Sequence, residues 1–215
     1  MVGHTFLFNP AVKYMKNLLD SNTLGDVRYI YCQRLNLGRI RSDVDAMWNL
    51  APHDLSIIDY WLESSSPTKI SINGKDYVQK GINDVSFMNI NYSNGVMANI
   101  HVSWLDPHKT RKITVVCEKK MVVYDDVSKD KIVIFDKGID KKAILGENME
   151  FDNPSGIFYE NREGQITIPK IDWEEPLKLE IQHFYDCVTG MATCISGPEH
   201  AKAVVKILQG VVDDD

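Results

Sequence analysis

The clearest structural signal in the chain is the stretch Asn94-Gly95-Val96-Met97-Ala98-Asn99-Ile100-His101-Val102-Ser103-Trp104. An Asn-Gly pair between two strand-like runs is a strong signal for a β-hairpin, because both residues tolerate the left-handed backbone of the turn. From Val96 onward apolar and polar residues alternate, which places one face of the strand in a core. The run 84–93 supplies the partner strand. We therefore predict antiparallel strands with one buried face.

Further strands are predicted on both sides of this hairpin. Residues 26–37 are rich in β-branched and aromatic side chains, and alternation places Cys32, Arg34 and Asn36 on one face of that strand. The remaining predicted strands are short runs of similar composition: 68–72, 76–79, 111–118, 120–124, 131–135 and 165–169.

Apolar residues at helical spacing predict four helices, over 10–20, 53–63, 175–189 and 198–211. The order along the chain is therefore helix, strand, helix, many strands and two helices. This order predicts an α+β fold, with an open, mixed and largely antiparallel sheet and helices on one face. We expect residues 1–215 to form a single domain.

Composition excludes several classes of protein. Of the 215 residues, 24 are Lys or Arg and 30 are Asp or Glu, so the net charge of −6 argues against a nucleic-acid-binding surface. A hydrophobic fraction of 44% is sufficient for a core. No apolar run reaches the roughly 18 residues of a membrane span, and no signal peptide is recognisable, which predicts a cytoplasmic protein. The four cysteines have no CxxC spacing and are predicted to be isolated thiols without a metal.

The sequence contains no GxGxxG and no phosphate-binding GxxxxGK[ST], so we expect no cofactor-binding residues in this chain. The densest polar segment instead runs from Arg34 to Asp54. Guanidinium groups there, such as that of Arg41, suit anionic oxygens. A helix that begins near Pro52 would keep the imidazole of His53 neutral and able to accept a proton, because the helix N-terminus disfavours a cation.

Plainer interpretations of this segment stay open. Arg39, Arg41, Asp43 and Asp45 form a charged loop that solvent alone can accommodate. His53 can cap and pack the helix, and Asp54 can complement the helix dipole in its first turn. The other histidines are interpreted as surface or satisfied core residues, and Trp104 and Tyr92 as core. These other histidines are His4, His101, His108, His183 and His200.

Three segments resemble the part of Gfo/Idh/MocA NAD(P)-dependent oxidoreductases that follows the Rossmann domain. The first is Gly3–Val12 with Leu24-Gly25-Asp26-Val27, and the most specific is Trp48-Asn49-Leu50-Ala51-Pro52-His53-Asp54-Leu55-Ser56-Ile57. The third comprises Glu175–Phe184 and Gly197–Ala201. The middle segment, with Arg34–Gly38 and Arg41–Asp45, is most similar to the branch that oxidises UDP-N-acetylglucosamine-type sugars at carbon 3.

The resemblance implies a C-terminal domain like those of dihydrodipicolinate reductase and glyceraldehyde-3-phosphate dehydrogenase, with the Rossmann domain missing from this chain. It implies NAD or NADP in a complete two-domain enzyme and no cofactor bound to this chain alone. It also implies a polar, nucleotide-linked sugar as substrate, with no nucleic-acid or membrane partner. A dimer or tetramer would form through the open sheet face, for which the candidate residues are Asn89, Asn91, Asn99, His101 and Ser103.

For the site, the resemblance implies that His53 is the catalytic residue that exchanges a proton with the substrate hydroxyl. Arg34, Asn36, Arg41 and Asn49 are predicted to bind the substrate. Asn49 stands where the family has an Asp, and an amide cannot take a proton. The family's Glu-Lys-Pro motif is absent from this chain.

A second interpretation is therefore a non-catalytic, truncated paralogue that mediates oligomerisation or binds a partner. A third, an HD-type phosphohydrolase suggested by the His53-Asp54 pair, would need further metal-binding residues on a helical fold. A β-rich chain does not supply that fold.

Overall fold

The computed structural model describes residues 1–63, 65–143 and 157–212. A short 3-10 helix, Thr5–Phe8, precedes the first α-helix. The helices are α1 (Pro10–Asp20), α2 (Ala46–Leu62), α3 (Pro176–Val188) and α4 (Pro198–Leu208). The strands are β1 (Val27–Leu35), β2 (Pro67–Lys75), β3 (Val85–Tyr92), β4 (Met97–Ser103), β5 (Thr110–Cys117), β6 (Met121–Asp125), β7 (Ile132–Ala143) and β8 (Ile157–Thr167).

The eight strands form one sheet in the order β2-β3-β4-β1-β5-β6-β7-β8. Only β1 and β4 are parallel among these neighbours, and every other pair is antiparallel. The predicted hairpin joins β3 to β4, with Gly95 at a φ of +84°. The predicted mixed, largely antiparallel sheet is thus confirmed.

Helices cover one face of this sheet. The buried face of β1 presents Ile30 and Cys32, and β4 adds Ile100, all without solvent exposure. Helix α2 packs against β1, β3 and β4 through residues such as Leu55 and Ile58. Helices α1 and α4 in turn pack against α2, which therefore lies at the centre of the core.

Helix α2 begins seven residues earlier than predicted, and this changes the setting of His53. Asp45 caps the helix by accepting a hydrogen bond from the backbone N–H of Trp48 at 2.9 Å. Pro52, predicted at the helix start, lies inside it, so it has no N–H to donate to the Trp48 carbonyl. The predicted positions of His53 and Asp54 in the first turn are therefore wrong.

Residues 76–79 do not form the predicted strand, because side-chain carboxylates accept hydrogen bonds from backbone N–H groups in this segment. Asp84 accepts hydrogen bonds from the N–H groups of Tyr77 and Val78 at 2.7 and 2.8 Å, and Asp76 accepts one from Gly81 at 2.7 Å. Such bonds favour a turn over a strand ladder.

Strands β7 and β8 are longer than predicted. Their additional residues include many charged side chains, which do not give the sequence pattern typical of a strand. Ion pairs cross between them, from Arg162 to Asp140 at 2.6 Å and from Lys137 to Glu163 at 3.2 Å. Cross-strand pairs of opposite charge stabilise a sheet only once the two strands are aligned.

The sheet face opposite the helices is largely exposed. It carries Tyr29, Tyr31, Phe87 and Met97, each between 37% and 48% exposed. Ser103 is buried and contributes no exposed surface to this face. Its predicted place among the exposed polar residues of the face is therefore wrong. No helix within the described ranges is long and apolar enough to cross a membrane.

The prediction of isolated thiols holds for two cysteines and is wrong for the other two. Cys32 and Cys117 are buried within the sheet. Cys187 and Cys194 lie beside each other, together with His183, because the loop after α3 returns toward that helix.

Candidate functional site

Two adjoining clefts lie where β1 ends, the following loop begins and the N-terminal half of α2 passes. The larger, of about 390 Å³, is bordered by the loop 38–43 and by Asn49 and Trp104. The smaller, of about 120 Å³, is bordered by Arg34, His53 and Arg111 among others. Both include Asn36 and Leu50 in their walls, so they form one continuous polar region.

Helix periodicity aligns the two predicted site residues of α2. Asn49 and His53 are four residues apart, so they lie on the same face of the helix, one turn from each other. Asn49 borders the larger cleft and His53 the smaller. The His53 ring also lies against Phe6 of the 3-10 helix, with 5.0 Å between ring centroids.

A buried ion pair lies next to His53. Arg34 donates from Nη2 to Asp54 Oδ1 at 2.7 Å and from Nε to Oδ2 at 3.1 Å, and both residues are less than 5% exposed. The guanidinium also stacks over Phe6, 4.7 Å from its ring centroid. Arg34 thus joins β1 to α2, and only its remaining nitrogen, Nη1, could serve the predicted role of binding substrate.

The imidazole of His53 is neutral at neutral pH, although not for the predicted reason. Burial and, to a smaller extent, the adjacent charge of Arg34 together lower the pKa of His53 to about 4. The carboxylate of Asp54 acts in the opposite direction. A neutral ring at this position can accept a proton, and Asp54 would stabilise the imidazolium that results.

The larger cleft contains the other predicted substrate residues. Asn49 Oδ1 accepts a hydrogen bond from the indole N–H of Trp104 at 3.2 Å, which leaves its amide N–H groups available to a ligand. Asn36 lies between the two clefts. Arg41 is exposed and forms a two-pronged pair with Asp43, at 2.6 and 3.0 Å.

Three further residues border the smaller cleft and were missed in the sequence. Phe6 forms the wall behind His53, while Lys109 and Arg111 add positive charge from the start of β5. The parallel pairing of β1 with β4 and the antiparallel pairing with β5 bring the ends of these strands together. The cluster of Lys109, Arg111 and Lys112 was a possible signal, but its proximity to His53 depends on this pairing.

The described helices lack a preceding glycine-rich turn of the GxGxxG type.

Comparison with known families assigns the chain to one of them. Residues 12–123 match the profile of the GFO/IDH/MocA C-terminal domain, a span that includes every residue bordering the two clefts except Phe6. This chain belongs to that family of oxidoreductase C-terminal domains. Among curated proteins, no sequence matches the chain.

Several solved structures of similar fold are named as oxidoreductases or dehydrogenases. UDP-N-acetylglucosamine 3-dehydrogenase GnnA from Acidithiobacillus ferrooxidans matches 99% of this chain with a TM-score of 0.73 at 19% identity. An aldose-aldose oxidoreductase from Caulobacter crescentus, complexed with glycerol, matches 97% with a TM-score of 0.72 at 12% identity. A protein of gentamicin A biosynthesis, in complex with NAD, matches 97% with a TM-score of 0.69 at 16% identity.

At these identities the likeness establishes the fold. The chain spans 61% of the length of the first of these structures and 59% of the other two.

Proposed function

We propose that this chain is the substrate-binding and oligomerisation domain of a sugar oxidoreductase that uses NAD or NADP. The observation that supports the proposal is a neutral His53 in a polar cleft, adjoining a second cleft bordered by amides and arginines. The dinucleotide, held by a domain outside this chain, supplies the hydride acceptor. The remaining work, to orient the sugar and remove a hydroxyl proton, falls to residues of this chain.

In this proposal His53 accepts the proton of the sugar hydroxyl as the carbon is oxidised. Asn49 and Asn36 hydrogen-bond neighbouring hydroxyl groups, since amides can both donate and accept. Arg41 reaches the anionic part of a nucleotide-linked sugar, because a guanidinium binds phosphate oxygens in pairs. Arg34 acts mainly through Asp54 and His53, as a positioning residue.

The exposed surface of helix α3 favours the presence of a neighbouring domain. It exposes apolar side chains, among them Ile181 at 61%, Phe184 at 53% and Val188 at 69%. Exposed apolar surface of this extent is typical of an interface. We expect the dinucleotide-binding domain to cover it, because the chain spans about three fifths of its structural relatives.

Substrate binding can be tested with the 215-residue chain itself. UDP-N-acetylglucosamine should shift the NMR signals of Asn36, Asn49 and His53 in a saturable manner, and Asn49→Ala should weaken binding. Arg41→Ala should weaken it too, whereas Arg28→Ala, an exposed arginine near the other end of β1, should not. Binding that is equal for Arg41→Ala and Arg28→Ala would contradict the assigned cleft.

Turnover must be tested in a protein that joins this chain to a dinucleotide-binding domain. There His53→Ala should lower kcat by roughly 100-fold or more, the usual contribution of a general base. The 215-residue chain alone should give no saturable change in NADH fluorescence. Unchanged turnover of His53→Ala would remove the catalytic role of His53, and saturable NADH binding would refute the division of labour between domains.

A non-catalytic module is the second candidate, and Asn49 favours it because an amide cannot ionise. The coding sequence upstream of Met1 discriminates between the two. An in-frame GxGxxG and Glu-Lys-Pro motif favours the enzyme, and their absence favours the module.

A further inference from the structure

Three metal-ligating side chains meet at the C-terminal end of α3. His183 and Cys187 are four residues apart and share one face of the helix, and Cys194 approaches from the loop between α3 and α4. The ligand atoms of all three lie within 4.8 Å of one another, with 3.4 Å between Cys187 Sγ and His183 Nε2. Within the described ranges no other group of three such residues is as close.

Backbone contacts hold the loop in this position. The N–H of Met191 donates to the carbonyl of Asp186 at 2.8 Å, which turns the chain back at the end of α3. The N–H of Val2 donates to the carbonyl of Ser196 at 2.8 Å, which ties the far side of the loop to the N-terminal segment. Cys194 is therefore directed toward α3 by contacts that do not involve its own side chain.

The imidazole of His183 is also oriented. Its ring packs against the buried Phe8, with 5.2 Å between ring centroids. The N–H of Ile195 donates to His183 Nε2 at 3.3 Å, so Nε2 is unprotonated, and a metal ion bound there would replace this hydrogen bond at the same lone pair. This is the tautomer that a metal ion requires of a ligating Nε2.

The donor set suits a tetrahedral ion, and the distance between Cys187 Sγ and His183 Nε2 is close to an edge of its coordination sphere. One imidazole and two thiolates suit Zn²⁺, and bond lengths of about 2.0 and 2.3 Å give ligand-to-ligand edges of about 3.6 Å. The observed 3.4 Å between nitrogen and sulfur is close to such an edge. Two thiolates would neutralise a divalent cation.

We propose that His183, Cys187 and Cys194 form a zinc site with three protein ligands and a fourth position open to water or another ligand. Binding releases two protons, one from each thiol, and forms two metal–sulfur bonds and one metal–nitrogen bond. The site would fasten the loop 189–197 to α3.

The test uses the reduced 215-residue chain and Co²⁺ as a spectroscopic probe. We expect a one-to-one titration with thiolate-to-cobalt charge-transfer absorption, the d–d bands of a tetrahedral ion, and displacement by Zn²⁺. Addition of Zn²⁺ should also raise the Tm of the wild-type chain, since the ion binds only the folded state of this site.

Three single variants, His183→Gln, Cys187→Ser and Cys194→Ser, should each weaken binding roughly tenfold or more, since even outer-shell changes cost that much. The matched controls are His108→Gln, which alters an exposed histidine, and Cys117→Ala, which removes a buried thiol of the sheet. Both controls should bind Co²⁺ as the wild type does. Circular dichroism of each variant establishes that it is folded.

Three outcomes would overturn the proposal. The first is a reduced chain that gives no thiolate-to-cobalt band. The second is equal Co²⁺ affinity in folded His183→Gln and His108→Gln. The third is a chain that binds no Co²⁺ when reduced but forms a Cys187–Cys194 disulfide on mild oxidation, which would make the pair a redox element instead.

Discussion

His53 owes its neutral state to burial, and this has a consequence for stability. Its pKa is about 4 in the folded protein against 6.5 in an unfolded chain. Between these values the unfolded state binds more protons, so the free energy of unfolding falls as the pH drops from about 6.5 toward 4. At about 1.36 kcal/mol per pH unit, the loss from His53 reaches at most about 3 kcal/mol.

This pH dependence can be isolated with His53→Gln, which removes the titrating group. We expect the free energies of unfolding of the two proteins, measured by urea denaturation between pH 4 and 7, to converge toward acid. They converge because the wild type loses more stability as the pH falls. The comparison is needed because burial also lowers the pKa of His4, which adds its own acid sensitivity to both proteins. An NMR titration of His53 with a midpoint at or above 6.5 would contradict the prediction.

The buried ion pair of Arg34 and Asp54 gives a second prediction at the scale of single residues. Arg34→Met leaves the Asp54 carboxylate buried without its partner, and we expect a loss of about 3–5 kcal/mol in urea denaturation. The double variant Arg34→Met/Asp54→Leu removes both charges and should recover most of that stability. Arg41→Met, in an exposed pair, should change stability little. A double variant as unstable as the single one would show that the cost arises from packing and not from an uncompensated charge.

At the scale of elements, the start of α2 depends on Asp45. Its side chain satisfies the N–H of Trp48, which has no partner within the helix. Asp45→Ala should lower the free energy of unfolding by about 1 kcal/mol. It should also loosen the first turn of α2, which carries Asn49.

The matched control is Asp43→Ala, two residues earlier in the exposed loop, which should leave stability unchanged. Equal stability of the two variants in urea denaturation would contradict the capping role. If the cap positions Asn49, Asp45→Ala should also weaken UDP-N-acetylglucosamine binding, provided that the proposed function is correct.

At the scale of the molecule, the uncovered face of the sheet predicts self-association. Tyr29, Tyr31, Phe87 and Met97 lie on the face that none of the described helices covers, and Phe87 stacks on His101 at 4.2 Å between centroids. An aromatic surface of this kind is typical of the core of an interface. We therefore expect a dimer or tetramer of this chain.

Tyr31→Glu should disrupt the assembly, because it places a charge at the centre of the face without a partner. Sedimentation analysis should then give the mass of a single chain, while Tyr77→Glu, an exposed tyrosine of the loop before β3, should leave the assembly intact. A wild-type chain that is monomeric at micromolar concentration would refute the prediction.

Much of the fold could be predicted because its signals are local. The hairpin at Asn94-Gly95 and the helix over 10–20 depend on turn chemistry and on the spacing of apolar residues within the segment itself. Helix α2 was predicted too short because Pro52 is usually found in a first turn, whereas the cap at Asp45 and the packing of the helix override that preference. The charged ends of β7 and β8 were not predicted, because the ion pairs that stabilise them form between the two strands.

The sequence by itself determined the α+β class and the pairing of β3 with β4, because these follow from residues close together in the chain. That Asn49 lies inside α2, one turn before His53, was not predicted, since the predicted helix began at residue 53. Only the tertiary structure decided that Arg34 pairs with Asp54, that Lys109 and Arg111 border the cleft of His53, and that Cys194 meets Cys187 and His183. Each of these depends on strand order or on the path of a loop. Burial, which lowers the pKa of His53, is likewise a property of the assembled core and not of any segment.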